Sequence, residues 1–193
     1  MRYSQIVNSD RLFFTSSDVA ENLGIRQESA VVLCNRYVKA GLMIRMKRDL
    51  YILKERWRHL KPAEILLIAN RLQIPSCLSL TTALSFHRAT TQIQPLYVES
   101  VAAKQGEYDV QGTLFRYFKI KQELFFGFDR RDGLFVASAE KALWDAVYLQ
   151  SLGRYSLDAA ALDLTKINKD DLDGMSFRFP DRTVRLMEKL WKA

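Results

Sequence analysis

The sequence predicts an α+β protein in which three helices and a basic hairpin precede a domain of mixed helices and strands. Three observations support this prediction. Apolar residues recur with helical spacing over residues 27–40, and two short apolar runs flank a basic turn at residues 47–49. Further along, stretches rich in β-branched and aromatic residues alternate with helical patterns. The 193 residues suffice for one large domain or two small ones.

The composition is that of a globular protein with a positive charge. Apolar residues make up 48% and charged residues 26%, which excludes disordered and low-complexity classes. Residues 1–59 contain 11 Lys and Arg against 6 Asp and Glu, whereas residues 60–193 contain 18 against 16. The positive excess is therefore concentrated near the N-terminus, which favours a polyanionic partner for that part of the chain.

The cysteines and the N-terminus favour a cytoplasmic protein. Cys34 and Cys77 do not form a Cys-x-x-Cys motif, so the sequence implies neither a disulfide framework nor a zinc knuckle. The first 14 residues are too polar for a signal peptide. The apolar runs fall far short of the roughly 20 residues that a membrane helix needs, so we expect no membrane partner. We also expect no metal or cofactor.

Short-range signals define the first elements. Residues 2–10 are predicted to form a short helix, and residues 13–15 a brief extended segment. Ser16 or Ser17 is expected to cap a second helix. Gly24 is expected to end that helix in a left-handed conformation.

The third helix, from about Gln27 to Ala40, has a single apolar stripe. Its members follow the spacing i, i+3, i+4, i+7, i+8 and are Ala30, Leu33, Cys34, Tyr37 and Val38. The opposite face holds Glu28, Val32, Asn35, Arg36 and Lys39. Gly41 is expected to close the helix. Leu42–Arg45 and Leu50–Leu53 are then predicted to be strands around the turn Lys47-Arg48-Asp49.

This order of helices, tight turn and basic hairpin is typical of a winged helix-turn-helix. Its third helix enters the DNA major groove with the N-terminal residues nearest the base edges. We expect base contacts from Arg26, Gln27, Ser29, Asn35 and Arg36. We expect phosphate contacts, which position the protein without reading sequence, from Lys39, Arg45, Lys47 and Arg48. The alternative is a winged helix used only for protein contacts, since a polar helix face is usually solvated surface.

The sequence predicts two domains, residues 1–58 and 59–193. A basic run ends near Lys61, and Pro62 is typical of the first turn of a new helix. The second domain is predicted to be mixed α/β with a small sheet. Its predicted helices cover residues 62–73, 79–87, 138–150 and 156–164, and its predicted strands are Leu96–Ala102, Thr113–Ile120 and Leu134–Ala137. In the last segment, residues 181–192, the apolar side chains are expected to pack: Leu186, Met187, Leu190 and Trp191.

The search for catalytic chemistry gives mostly negative results. The sequence has no phosphate-binding glycine loop, no zinc-protease motif and no nucleophile elbow. His87 lies on an apolar stripe and is expected to be a hydrogen-bonded core residue. Glu140, Lys141 and Asp145 are expected to form an i, i+4 array with a local salt bridge on the surface of a helix. An enzyme would instead require His87, Glu140 and Asp145 to converge.

Several stretches together resemble AbiEi-type antitoxins. Residues 14–25 read FTSSDVAENLGI and residues 40–53 read AGLMIRMKRDLYIL, although Asp49 stands where that family commonly has Gly. Residues 79–87 read SLTTALSFH, similar to the family's Ser-x-x-x-Ala-Leu-x-x-His stretch. Residues 137–145 read ASAEKALWD, similar to its Ala-x-x-Glu-Lys-Ala-Leu-x-Asp stretch. The resemblance extends from about residue 12 to residue 150.

The resemblance implies a non-enzymatic antitoxin and autorepressor of a type IV toxin–antitoxin operon. It implies that the winged helix binds double-stranded DNA repeats in its own promoter. It also implies that the second domain counters a nucleotidyltransferase-like toxin, often without a stable complex. The alternative is a stand-alone winged-helix transcription factor whose C-terminal domain senses a small ligand in an apolar pocket between helix and sheet.

Overall fold

The computed structural model describes residues 2–9 and 11–192, and the chain is mixed α/β. It divides into two compact units, Met1–Ile65 and Leu66–Ala193. We call these the N-terminal unit and the C-terminal unit. The division falls inside the helix Pro62–Leu72.

The N-terminal unit contains helices followed by one hairpin. Its elements are α1 (Arg2–Val7), α2 (Ser16–Leu23), α3 (Gln27–Lys39), β1 (Met43–Lys47), β2 (Leu50–Leu53), α4 (Lys54–Arg58) and the start of α5 (Pro62–Leu72). The two strands pair antiparallel, with Ile44 opposite Ile52. Phe14 and Tyr51 exchange two backbone hydrogen bonds of 2.8 Å, which joins the predicted extended segment to the hairpin.

Thr15 caps helix α2, so the expectation that Ser16 or Ser17 is the cap was wrong. The Thr15 hydroxyl accepts from the Asp18 amide at 3.2 Å, and the Asp18 carboxylate accepts from the Thr15 amide at 2.7 Å. This reciprocal pair needs an acidic residue three positions after the cap, which Thr15 has. Gly24 ends α2 with φ of 61°, which confirms the predicted left-handed position.

The apolar stripe of α3 forms the centre of the N-terminal core, as the sequence predicts. Ala30, Leu33, Cys34 and Tyr37 are buried, and Val38 is half-buried. They pack in one cluster with buried side chains from the rest of the unit, namely Ile6, Phe14, Val19, Met43, Tyr51 and Leu53. Each large apolar side chain contributes about 1.5–3 kcal/mol on burial, so this stripe fixes which face of α3 points inward.

The C-terminal unit is built on one six-stranded sheet. Its strands are β3 (Ser76–Leu78), β4 (Tyr97–Ala102), β5 (Gly106–Val110), β6 (Thr113–Lys119), β7 (Phe128–Arg131) and β8 (Leu134–Ala137), in the order β5-β6-β4-β3-β8-β7. The pairs β4–β6 and β3–β8 are parallel, and the other pairs are antiparallel. Its helices are α6 (Leu80–Phe86), α7 (Ala139–Ser151), α8 (Lys169–Gly174) and α9 (Asp181–Lys192).

Helices cover both faces of this sheet. The Tyr117 hydroxyl on β6 donates to the Ala69 carbonyl of α5 at 2.5 Å, and the Asn70 amide bonds the backbone of Phe135. On the opposite face, Glu99 of β4 contacts α6 through the Thr81 amide. Helix α6 packs on α7, and α7 packs on α9. No described helix is both long enough and apolar enough to cross a membrane.

Two expectations for the C-terminal unit were wrong. The sheet has six strands and is larger than the small sheet predicted. The sequence does not predict β3, β5 and β7, because β3 has only three residues and the edge strands β5 and β7 are polar. The helix predicted over residues 156–164 is replaced by two short 3₁₀ turns, Ala159–Ala161 and Leu164–Lys166. Asp158 and Asp163 each accept a hydrogen bond from an amide two residues later, which competes with a continuous helix.

Candidate functional site

The face of α3 opposite the buried stripe is open to solvent. Val32 on this face is 68% exposed, and Asn35 is half-buried. Among the predicted DNA-contacting residues, Lys47 is also half-buried and lies at the end of β1 rather than in the turn. The remaining predicted contact residues are exposed: Arg26, Gln27, Ser29, Arg36, Lys39, Arg45 and Arg48. A concave region of about 350 Å³ borders the helix and is lined by Glu28, Ser29, Val32, Leu33 and Arg36.

The cations of this surface are largely uncompensated. Within residues 2–9 and 11–192, the charged groups of Arg26, Lys39 and Arg48 form no ion pair. The Arg36 guanidinium lies 6.0 Å from the Tyr37 ring centroid, and that of Arg45 lies 5.8 Å from the Tyr51 ring centroid. These aromatic contacts orient the two arginines without neutralising them.

A chain of hydrogen bonds ties the hairpin turn to the N-termini of α2 and α3. The Ser16 amide donates to Asp49 Oδ1 at 2.8 Å, and the Gln27 side-chain amide donates to Ser16 Oγ at 2.7 Å. A carboxylate at this helix N-terminus satisfies an otherwise unpaired amide and interacts favourably with the helix dipole. The side chains of Asp49 and Gln27 thereby fix the hairpin relative to the exposed face of α3.

Asp49 adopts a left-handed conformation, with φ of 55°. Glycine adopts this conformation without strain, whereas a residue with a side chain needs compensating contacts there. The carboxylate at Asp49 adds the bond to Ser16 that glycine lacks. This bond joins residues 33 positions apart, so no local pattern in the sequence predicts it.

The structure also changes the expected role of Gln27. Its side-chain nitrogen is engaged with Ser16, so a base contact from Gln27 would use its oxygen or break this bond. Arg26, Ser29, Asn35 and Arg36 have no such side-chain hydrogen bond within the described part of the chain. They remain the residues of α3 best placed to contact a ligand.

In the C-terminal unit, the stretches 79–87 and 137–145 meet. The Ser79 hydroxyl donates to Asp145 Oδ2 at 2.7 Å, and His87 Nε2 lies 2.8 Å from the Ala137 carbonyl oxygen. These bonds join the ends of α6 to β8 and α7. Residues of the stretches 79–87 and 137–145 therefore join α6 to α7 and β8.

The expectation of a surface array on α7 was wrong for Lys141 and Asp145. Their side chains are 1% and 0% exposed and form a buried ion pair. The Lys141 ammonium lies 4.9 Å from the Phe126 ring centroid, and the Gly127 backbone packs on its aliphatic stem. The pair is buried because α7 is enclosed on almost every side, with ten of its 13 residues buried.

A second buried polar cluster surrounds Glu99. Its carboxylate accepts from the Tyr155 hydroxyl at 2.9 Å and from the Thr81 amide at 3.1 Å. The hydroxyls of Tyr155 and Thr81 are themselves 2.7 Å apart. Burial raises the pKa of Glu99 to about 7, although the hydrogen bonds from Tyr155 and Thr81 oppose this rise. The signal in the sequence was a single acidic residue inside an apolar strand.

The three residues considered as a catalytic set have separate partners. His87 contacts the Ala137 carbonyl, Glu140 accepts from the Asn168 amide at 2.9 Å, and Asp145 binds Ser79 and Lys141. Each side chain therefore has a local structural role. His87 is half-buried and hydrogen-bonded, in line with its expected place on the α6 stripe.

No protein-family model matches this chain, and no curated protein matches it either.

Substitutions at Asp49 should separate the conformational requirement from the hydrogen bond. Asp49→Asn keeps an acceptor and tolerates the left-handed region, so it should be nearly neutral. Asp49→Gly loses only the bond to Ser16 and should cost about 1 kcal/mol. Asp49→Ala adds backbone strain and should cost about 2–3 kcal/mol. Urea unfolding measures the series, and a Gly variant more stable than the native chain would contradict a stabilising role for this bond.

Removing one partner of the buried pair should destabilise the C-terminal unit strongly. Lys141→Met leaves the Asp145 carboxylate buried without its cation, which costs about 3–5 kcal/mol. The double variant Lys141→Met/Asp145→Leu removes both charges and should recover more than half of that loss. Denaturant unfolding of both variants tests this, and a double variant no more stable than Lys141→Met would show that the charge imbalance is not the cause.

Glu99 should make stability depend on pH. Because the pKa of Glu99 is raised from 4.5 to about 7, its contribution is present in full below pH 4.5 and is lost as pH rises through 7. Relative to Glu99→Gln, the native chain should lose about 3 kcal/mol of unfolding free energy across this window. Parallel unfolding curves from pH 4.5 to 8 measure the difference, and a constant difference between the two proteins would exclude the raised pKa.

Proposed function

We propose that the N-terminal unit is a winged helix-turn-helix that binds double-stranded DNA. We further propose that the chain is the antitoxin and autorepressor of a type IV toxin–antitoxin operon of the AbiEi type. This proposal rests on the exposed face of α3, whose cations form no ion pair within the described residues. Hydrogen bonds hold this face in a fixed position relative to the hairpin, whose turn contains Arg48.

The dimensions of α3 suit a major groove. Its 13 residues give a length of about 20 Å, and the groove of B-DNA is about 12 Å wide and admits one helix. The buried stripe faces the core, so the opposite face is free to approach the base edges. Arg36 suits guanine and Asn35 suits adenine, while the exposed Val32 provides an apolar contact for a thymine methyl.

The remaining cations suit the phosphate backbone. Lys39 lies at the C-terminal end of α3, Arg45 and Lys47 lie on β1, and Arg48 lies in the turn. Phosphate contacts set the register of the protein on the duplex and make its affinity salt-dependent. Glu28 is the acidic residue of this face, and a cytosine amine is the base group that it suits.

The antitoxin assignment rests on the sequence resemblance alone. Two stretches of that resemblance, 79–87 and 137–145, are far apart in sequence yet contribute to one buried network through Ser79, Lys141 and Asp145. This network gives their residue types and spacing a structural role in the C-terminal unit. In this proposal the C-terminal unit counters a nucleotidyltransferase-like toxin, and a reading frame for such a toxin beside this gene is the expected genomic arrangement.

Two substitutions should affect DNA binding in different ways. Arg48→Ala should weaken binding to every duplex and lower the slope of log K against log salt by about 0.9. Asn35→Ala should cost about 1–3 kcal/mol at the preferred sequence while sparing non-specific binding. Fluorescence anisotropy with duplexes from the region upstream of the gene, across a series of salt concentrations, measures both effects.

Lys166→Ala is a matched control for this experiment because it removes one exposed cation outside the N-terminal unit. Its binding and salt slope should equal those of the native chain. Equal binding by the Arg48, Asn35 and Lys166 variants would contradict the assignment of the α3 face and hairpin as the DNA-binding surface.

A further inference from the structure

Helix α9 carries a stripe of one sign of charge on its outer face. Arg182, Arg185, Lys189 and Lys192 follow the spacing i, i+3, i+7, i+10, and all four side chains are exposed. At 100° per residue they fall within about 80° of the helix surface. We call these four residues the basic stripe. The buried Met187 lies on the opposite side of the helix and anchors it to the unit.

Ion pairs do not neutralise the basic stripe within residues 2–9 and 11–192. In the part of the chain that the structure describes, none of its four charged groups forms an ion pair. The acidic residues of α9, Asp181 and Glu188, lie at one border of the stripe, and Glu188 lines a cavity beside α8 together with Asp173. Solvated helix faces usually intersperse both signs, so a stripe of a single sign indicates a polyanionic ligand.

An exposed aromatic residue precedes Arg182, the first residue of the stripe, by five positions in the sequence. Phe177 is 79% exposed, although large apolar side chains are usually placed inside. The Arg178 guanidinium lies 4.3 Å from the Phe126 ring centroid and 5.4 Å from that of Phe177. Phe179 stacks on Trp144 with ring centroids 4.6 Å apart and planes 10° apart. Arg178 and Phe179 therefore anchor this segment, and Phe177 remains open to solvent.

We propose that the basic stripe and Phe177 form a binding surface for single-stranded nucleic acid. The cations lie along about 15 Å of helix and bind successive phosphates. Phe177 stacks on an unpaired base, a contact that a paired duplex does not offer. The Arg178 guanidinium contacts the Phe177 ring and thereby helps to hold the ring in position for stacking. An acidic protein segment would use the cations but would gain nothing specific from the exposed ring.

The test uses the full chain and fluorescein-labelled oligonucleotides, a 20-nucleotide single strand of mixed sequence and the matching duplex. The double variant Arg185→Ala/Lys189→Ala should lower the slope of log K against log salt for the single strand by about 1.4. Phe177→Ala should weaken single-strand binding by about tenfold and leave the slope unchanged. Lys119→Ala/Lys166→Ala removes two exposed cations elsewhere in the C-terminal unit and should leave both quantities unchanged.

The same measurements separate this surface from the proposed duplex-binding site. Arg48→Ala should weaken duplex binding far more than single-strand binding, whereas Phe177→Ala should weaken only single-strand binding, so loss of duplex binding in the Arg48 variant does not bear on α9. Three results would overturn the proposal. These are absence of single-strand binding at low salt, equal binding by the stripe variant and the native chain, and a neutral Phe177→Ala, which would instead favour an acidic protein partner.

Discussion

The single apolar stripe of α3 is the constraint on which the N-terminal unit depends. Leu33, Cys34 and Tyr37 can be buried together in only one orientation of the helix, and that orientation places Val32 and Arg36 in solvent. Packing thus determines which side chains are available for recognition. The Ser16 amide donates to Asp49, and the Gln27 side chain donates to Ser16. These hydrogen bonds fix the hairpin relative to α2 and α3. Burial of the stripe sets the orientation of α3, and the hydrogen bonds align the hairpin with it.

The C-terminal unit differs from the N-terminal unit because it buries ionisable side chains, Lys141, Asp145 and Glu99. Burial raises the pKa of Asp145, and its contacts with Lys141 and Ser79 oppose that rise. Glu99 is held by neutral donors, and burial raises its pKa as well. The first arrangement links α6 to α7, and the second links β4 to α6 and Tyr155. Buried polar groups of this kind specify one packing arrangement, since any slip would leave a charge without its partner. Helix α9 packs against this enclosed α7 and leaves its basic stripe outside.

Local patterns allowed much of the fold to be predicted. The spacing of α3, the cap at Gly24 and the strand β8 all depend on residues close together in sequence. Edge strands β5 and β7 could not be predicted because their pairing partners, rather than their polar side chains, make them strands. A charged i, i+4 pair usually lies on the surface of a helix, so the sequence predicts that Lys141 and Asp145 are exposed. They are buried because α7 is enclosed on almost every side. The bond from Asp49 to Ser16 joins distant residues, so no local pattern could reveal it.

We propose that the outer face of α3 and the hairpin bind duplex DNA. Chemical-shift mapping of the isotopically labelled full chain, titrated with DNA from upstream of its own gene, measures where a duplex binds. Saturable shifts should be concentrated at residues 26–39 and 45–49, with little change at the buried stripe of α3. Saturable binding with shifts confined to residues 66–192, or no binding to the duplex at low salt, would contradict it.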